Sequence, residues 1–488
     1  LAITPFGGAG NALAGRLAAD PRLTALVAGG LLGGGAALMG LLTAVGGPLI
    51  GFGAAFGIAA GLFVLTNLMA GLYVMIGVVL LAPFATLPVR FALTPTFIDV
   101  ALGGFLLVYV FQWMTRRRAG FRFAPVQLLI GAFALYCIFS FVAGLGHAVL
   151  TTSILRKFVE LLLAMLTGVV LVDVVRDAAR LRRVTWVLVL FGAAQALIGI
   201  GLYVLPSDPA NRLLNTLARF GYPSGNVLRF VEDNPDLGER AIGTWVDPNA
   251  YGGVLVILGA VAITAALSAK GRARWLPYAL TLPLIGALLL TQSRGAWLAF
   301  AAAGLFLAVV RFRWLLIVGA VGVLAFFTLP FTQSYVERLA EGLGGQDLAT
   351  QMRFGEYQDS LRLIGRYPLI GVGFAGSPDR DIYLGVSSTY LKLANSTGLI
   401  GLAFFVLILL GVFRYGFRHW RAMESAGVLT LWLGFAAALV GVMVSGVVDH
   451  YYFNIEFHGV AMIFWTVIGL AVATTRLSLS HDSADALQ

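Results

Sequence analysis

Thr291-Gln292-Ser293-Arg294-Gly295 sits at the joint of two apolar runs, 276–291 and 296–310. A permanently charged guanidinium between such runs is costly unless it meets a watery cavity or an anionic partner. Arg240 repeats the arrangement ahead of Ile242-Gly243-Thr244-Trp245-Val246-Asp247-Pro248-Asn249. Two arginines at one membrane surface point to a site for something negatively charged and lipid-borne. A third cluster, Asp449-His450-Tyr451-Tyr452-Phe453-Asn454, is followed by Glu456 and His458. There a carboxylate stands beside a histidine, the pairing of a general base with the group that orients it.

Each cluster also has a plainer reading. Arg294 can snorkel from a helix end, although Ser293 and Gly295 flank it in a tight turn that lets a backbone approach a ligand closely. Arg240 can be a loop charge paired with Glu239 or Asp247, and worth little. Asp247-Pro248-Asn249 reads as a helix entry, with Asp as cap and Pro just inside. Tyr451, Tyr452 and Phe453 fit an interfacial aromatic belt as well as they fit a site. Gly371-Val372-Gly373-Phe374 is a weak glycine motif without the strand and helix a nucleotide fold needs. No His, Cys, Asp or Glu set has metal-ligand spacing, so neither a metal nor a cofactor is expected. Cys137 is the single cysteine, which excludes an intrachain disulfide and a thiolate cluster.

These residues have to be positioned by membrane helices. The chain of 488 residues is 59% hydrophobic and only 11% charged, with apolar runs recurring along its whole length. That is the composition of a polytopic all-α membrane protein. The runs predict spans near 24–43, 48–66, 69–86, 97–114, 125–146, 158–175, 184–205, 250–268, 276–291, 296–310, 314–331, 394–413, 427–448 and 455–474, about 12–14 in all. A cleavable signal peptide is not expected, because the first long apolar stretch is followed by further spans. The net charge of +10 does not imply nucleic acid. The basic residues form short clusters between spans, at Arg116 to Arg118, Arg180 to Arg183 and Arg414 to Arg421 among others. Those loops are read as cytoplasmic, with both termini on that side. Two long segments, 206–249 and 332–393, fall on the other face, and loops of that length usually carry function. Leu213, Leu214, Leu217 and Phe220 in the first, and Met352, Tyr357, Leu361 and Ile364 on one face in the second, suggest amphipathic helices that lie on the membrane surface or cap a cavity.

Taken in order, several segments resemble the O-antigen ligase/polymerase family of bacterial envelope proteins. They are Arg240 to Asn249, Ser293-Arg294-Gly295-Ala296-Trp297, Arg353 through Arg366-Tyr367-Pro368-Leu369-Ile370-Gly371-Val372-Gly373, Ser388-Thr389-Tyr390-Leu391, and Thr397-Gly398-Leu399-Ile400-Gly401. The resemblance covers roughly residues 180–475. It implies N-terminal helices over 1–180, a ligase/polymerase-like core over 181–475 with periplasmic loops 206–249 and 332–393, and a cytoplasmic tail at 476–488. It implies a GT-C-like helical membrane fold in the bacterial inner membrane and a metal-independent, inverting glycosyltransferase. The donor would be an undecaprenyl-diphosphate-linked glycan and the acceptor another glycan, with membrane lipids and a chain-length regulator as further partners and no nucleic acid.

Arg240 and Arg294 would then clamp the diphosphate, with Arg353 and Arg362 of the second loop as further diphosphate ligands. Lipopolysaccharide ligases of the family commonly carry a His-Asn pair where this chain has Ser387 and Ser388, and serine alone is a poor base. Either the base lies elsewhere, with His450, its ring oriented by Asp449, as the nearest candidate, or the acceptor differs. A growing glycan is expected as acceptor, which makes a polymerase the leading reading and a ligase the runner-up. A transporter or flippase of a lipid-linked solute is the alternative of another class. It fits less well, because no internal repeat is visible and the distinctive charges cluster at one face.

Overall fold

The computed structural model describes residues 67–87, 94–118, 120–269, 271, 275–344, 348–376 and 385–485, with isolated positions between 25 and 44. Expected spans 24–43 and 48–66 therefore lie largely or wholly outside the described residues. The other twelve each correspond to a helix. In chain order these are α1 (Leu68–Leu81), α2 (Phe97–Met114), α3 (Val126–Gly144), α4 (Thr152–Val174) and α5 (Ala178–Val204). A short α6 (Ser207–Asn215) and a two-residue hairpin, β1 (Arg229–Phe230) with β2 (Glu239–Arg240), lead to α7 (Pro248–Ser268), α8 (Trp275–Leu290), α9 (Arg294–Val310) and α10 (Trp314–Thr328). Then come α11 (Gln333–Leu343), α12 (Leu348–Arg366), α13 (Thr389–Arg418), a short α14 (Trp420–Ser425), α15 (Leu429–Val448) and α16 (His458–Asp485).

Among the described residues seven helices are long and apolar enough to cross a membrane, and α1, α8, α9 and α10 are shorter apolar helices. The protein is an all-α polytopic membrane protein. Two units are distinguishable, one of residues 1–74 with 103–120, the other of 75–102 with 121–488. In the first, the Arg118 guanidinium lies 5.1 Å from the Tyr109 ring centroid. The second holds every candidate site residue.

Within that second unit, burial identifies the central helices. The apolar windows of α7 and α16 are 89% and 94% buried, whereas those of α3, α5 and α13 are 39–44% buried. A helix apolar on all sides belongs inside the bundle, and one buried on a single stripe belongs at its lipid-facing edge. Small residues permit the close approach: a side chain on Gly252 of α7 would lie 2.8 Å from the Ala296 Cβ of α9.

The two long connections are folded. Between α5 and α7, Leu202, Ala210, Leu214, Val227, Leu228 and Ile242 form a small core of their own. Between α10 and α13 runs the pair α11 and α12. Met352 and Leu361 of α12 are exposed while Tyr357 and Ile364 are half-buried, so these four do not share the single face expected from their spacing. Ser360 and Leu363 point inward instead.

After α12 the chain enters a break in α13. Gly398 has φ 67° and ψ −176°, which interrupts the helical hydrogen bonding. The carbonyls of Asn395 and Ser396 accept from the backbone N–H groups of Val372 (2.8 Å) and Gly373 (2.9 Å), and Leu399 N donates to Pro368 O at 2.7 Å. Backbone groups within a bundle must be satisfied by protein, and here two irregular segments satisfy each other. A side chain on Gly398 would collide with Leu369 O. The glycine motif at 371–373 is thus a structural plug.

Candidate functional site

The α8–α9 joint turns on Gln292, whose φ of 52° is left-handed. Thr291 supports the turn: its hydroxyl donates to Leu288 O at 2.7 Å and accepts from Ser293 N at 3.2 Å. The strained position is therefore Gln292, and the glycine at 295 has another purpose, described below. Strand β2 closes over this turn. Ala241 N donates to Leu290 O (2.8 Å), Gln292 Nε2 to Glu239 O (3.0 Å) and Arg240 Nε to Thr291 O (2.9 Å). Arg240 thus caps the carbonyl end of α8, where a cation is favoured by the helix dipole. Its other recorded bond, at 2.6 Å, runs to Asn249 Oδ1.

Asp247-Pro248-Asn249 is a helix entry, as its sequence implies. The Asp247 carboxylate accepts from Asn249 N (2.9 Å) and Ala250 N (2.7 Å), with Pro248 in the first turn. Ahead of it, Val246 has φ 63° and ψ −32°, and Asp247 N donates to Trp245 O at 2.6 Å. That is a tight γ-turn with a β-branched residue at positive φ, a strained conformation of the kind found beside sites. Asp247 and Asn249 both act on the Tyr451 phenol, whose burial raises it well above its ordinary value.

Asp449 follows α15 directly. Its backbone carbonyl accepts from both Thr389 N and Thr389 Oγ1 at 2.8 Å, which ties the start of α13 to the end of α15. The carboxyl group is buried, and a Cβ on Gly295 would lie 3.0 Å from Asp449 Oδ2. Glycine at 295 makes room for this carboxyl. Burial pushes Asp449 up to about 7, although Arg353 and Arg240 pull it down and Asp247 opposes them.

His450 is held differently from the expectation. Its Nδ1 lies 3.0 Å from Asn454 Nδ2, and Asn454 Oδ1 accepts the Glu456 N–H at 3.0 Å. With that oxygen occupied, the amide N–H faces the ring, so Nδ1 accepts and the ring proton sits on Nε2. Burial and Lys392 push the imidazole down to about 4. The ring partner is Asn454, not Asp449, and the ring packs against Tyr451 and Phe457. Tyr451, Tyr452 and Phe453 are themselves buried, so they form no lipid-facing belt.

A cavity of about 220 Å³ opens between α9, α12 and the end of α15. Arg294 and Arg353 line it together with Gly295, Tyr357, Phe354 and Val448. Of the four arginines expected at an anion site, the structure brings Arg294 and Arg353 to this cavity. Arg240 does not line it, but is close enough to Asp449 to act on its charge. Arg362, 63% exposed, bonds Asp359 at 2.9 Å and lies apart from the cavity lining.

Ser388 caps α13 and donates to Gly446 O at 3.2 Å, while the Ser387 N–H donates to Glu356 Oε2 at 2.8 Å. Among the described residues no group of three or more His, Cys, Asp or Glu stands close enough to hold a metal. Sequence reasoning missed Tyr357 as a site residue, along with Asn249, Tyr451 and Asn454. Asn249 was at least within reach, since it ends a motif already singled out.

The O-antigen ligase family model matches residues 279–406, a stretch that includes Arg294, Arg353, Tyr357 and the plugged break of α13. No curated protein matches the chain. A chain in a solved structure, described as the structural coordination of polymerization and crosslinking by a peptidoglycan synthase complex, is 18% identical. The alignment covers 73% of this chain and 97% of that one, with a TM-score of 0.38, too low a likeness to bear on activity. Over residues 279–406 the chain is thus similar to the O-antigen ligase family, in agreement with the resemblance of its ordered motifs.

Proposed function

We propose that this protein is a metal-independent, inverting glycosyltransferase that polymerises undecaprenyl-diphosphate-linked oligosaccharide repeat units at the periplasmic face of the inner membrane. The observation that carries the reading is the convergence of Arg294 and Arg353 on one cavity, with the buried Asp449 carboxyl just behind Gly295. Two guanidiniums match a diphosphate in charge and fork geometry, and they would stabilise the negative charge that grows as it departs. An acceptor hydroxyl attacks the anomeric carbon from the face opposite the diphosphate. The new carbon–oxygen bond forms as the bond to the phosphate oxygen breaks, its electron pair leaves with the diphosphate, and the hydroxyl proton passes to Asp449. Attack from that face inverts the anomeric centre.

Asp449 suits the base role better than His450. A carboxyl pushed up to about 7 is basic near neutral pH, whereas an imidazole pushed down to about 4, with Nδ1 already engaged, is a poor acceptor. Ser387 and Ser388 are occupied in holding their loop, which supports proton removal elsewhere than at the ligase His-Asn position. That favours a glycan acceptor, and hence a polymerase.

The test is to incubate purified protein with a lipid-linked oligosaccharide in a chelator, without nucleotide. Stepwise lengthening of the lipid-linked chain is expected. Transfer only to a lipid A core would turn the reading to a ligase, and activity that appears only on adding a divalent ion would overturn metal independence. A reporter inserted between α11 and α12 should behave as periplasmic, and a cytoplasmic signal there would reverse the orientation.

A further inference from the structure

Tyr357 lies one helical turn after Arg353 on α12, on the same side of the helix, and both line the cavity. Its hydroxyl is 2.9 Å from Val447 O and 3.1 Å from Ser387 O. Val447 is two residues ahead of Asp449, and Ser387 is two residues ahead of Thr389, which holds the Asp449 carbonyl. The neighbouring Glu356 takes the Ser387 N–H. One turn of α12 therefore docks where the two segments that carry and hold Asp449 come together.

The far end of α12 is fixed by separate means. Ser360 Oγ donates to Asn395 Oδ1 at 2.9 Å, and the plug at 372–373 bonds the broken part of α13. The C-terminal half of α12 thus keeps its anchors whatever happens at Tyr357. The N-terminal half, with Met352 and Phe354 exposed, has the Glu356–Tyr357 dock as its tie to the Asp449 segment. Arg353 belongs to that half. Burial raises the Tyr357 phenol, so it stays a donor at neutral pH.

We propose that Tyr357 is a positioning residue: its hydroxyl registers the N-terminal half of α12 against the Asp449 segment and so sets the Arg353 guanidinium beside the Asp449 carboxyl. This rests on the reading above, in which Asp449 receives the acceptor proton. A phenylalanine keeps the ring and its packing and removes only the hydroxyl, so it isolates the tie.

The experiment is a pH–rate profile of Tyr357→Phe on the lipid-linked oligosaccharide, alone and combined with Arg353→Lys. Loss of one such hydrogen bond is expected to lower kcat by about 3- to 10-fold. The acid limb should move to higher pH, because Arg353 holds the Asp449 proton affinity down and a displaced Arg353 does so less. In the Arg353→Lys background Tyr357→Phe should shift the limb no further, since the two changes act through one geometry. A limb that stays in place, or a full additional shift in the Lys background, would overturn the proposal. Glu356→Gln weakens the same dock without touching the ring and should move the limb in the same direction by less.

Hydrogen exchange supplies a readout independent of the chemistry. Tyr357→Phe should speed exchange over 349–357 and leave 360–366 unchanged. Uniform or unchanged exchange would sink the positioning role even with Asp449 as base. An active Asp449→Asn enzyme with the localised exchange change would instead sink the base assignment and keep the positioning.

Discussion

Arg240 and Arg353 both act on the charge of the Asp449 carboxyl and are built into the protein in different ways. Arg240 sits on a strand whose neighbours bond the α8–α9 turn at two points, and its guanidinium is committed to a helix-end carbonyl and to Asn249. Arg353 rides on the N-terminal half of α12, which Glu356 and Tyr357 dock, and it lines the cavity. One side of the site is a frame bonded through the backbone, and the other is a wall held by side chains. The contrast teaches that an arginine isolated near a membrane surface can be a helix cap or an anion ligand, and only its surroundings decide which.

The largest effect that would sharpen this comparison is at the shared carboxyl. Asp449→Asn should cost about 10²- to 10⁴-fold in turnover with the fold intact. The wild-type rate should rise with pH through about 7, because the base works deprotonated and burial has raised its proton affinity. That limb should vanish in Asp449→Asn and persist in His450→Ala. A limb abolished by His450→Ala would return the base to the histidine.

Next come the arginines, whose two roles should separate. Arg353→Lys and Arg294→Lys keep the charge but lose the fork, and each is expected to lower kcat/KM by about 10²-fold with a normal unfolding midpoint. Arg240→Lys should instead act mainly on stability, by about 1–3 kcal/mol through the capped carbonyl and Asn249, with donor KM little changed. Equal kinetic losses at Arg240 and Arg353 would erase the distinction between frame and wall.

Gly295→Ala places a methyl 3.0 Å from Asp449 Oδ2 and 2.8 Å from Val448 Cγ2. A displaced carboxyl should lower kcat by about 10-fold while donor binding, measured directly, stays close to wild type. The smallest effect is expected at Ser388→Ala, which removes a helix cap worth about 1 kcal/mol and should leave kcat unchanged. A dead Ser388→Ala protein that still folds would put the chemistry back in the second loop.

What the sequence by itself determined is what depends on neighbours along the chain. Apolar runs located twelve of the sixteen described helices, because crossing a membrane requires a continuous apolar length. Asp247-Pro248-Asn249 was legible as a helix entry, because a cap bonds amides two and three residues ahead. Arg294 was legible as a charge that needs a cavity or an anionic partner, since its cost is set by the runs on either side, and it lines a cavity.

Tertiary structure alone decided the partners. His450 pairs with Asn454 rather than with the adjacent Asp449, because neighbouring side chains diverge where the backbone turns and Asn454 is anchored by its own cap. Gly371 and Gly398 are bound to each other's segments across a helix break that no local pattern announces. Tyr357 looked like one more apolar position of an amphipathic helix. Its hydroxyl gains a purpose only when Val447, ninety residues further on, arrives within 2.9 Å.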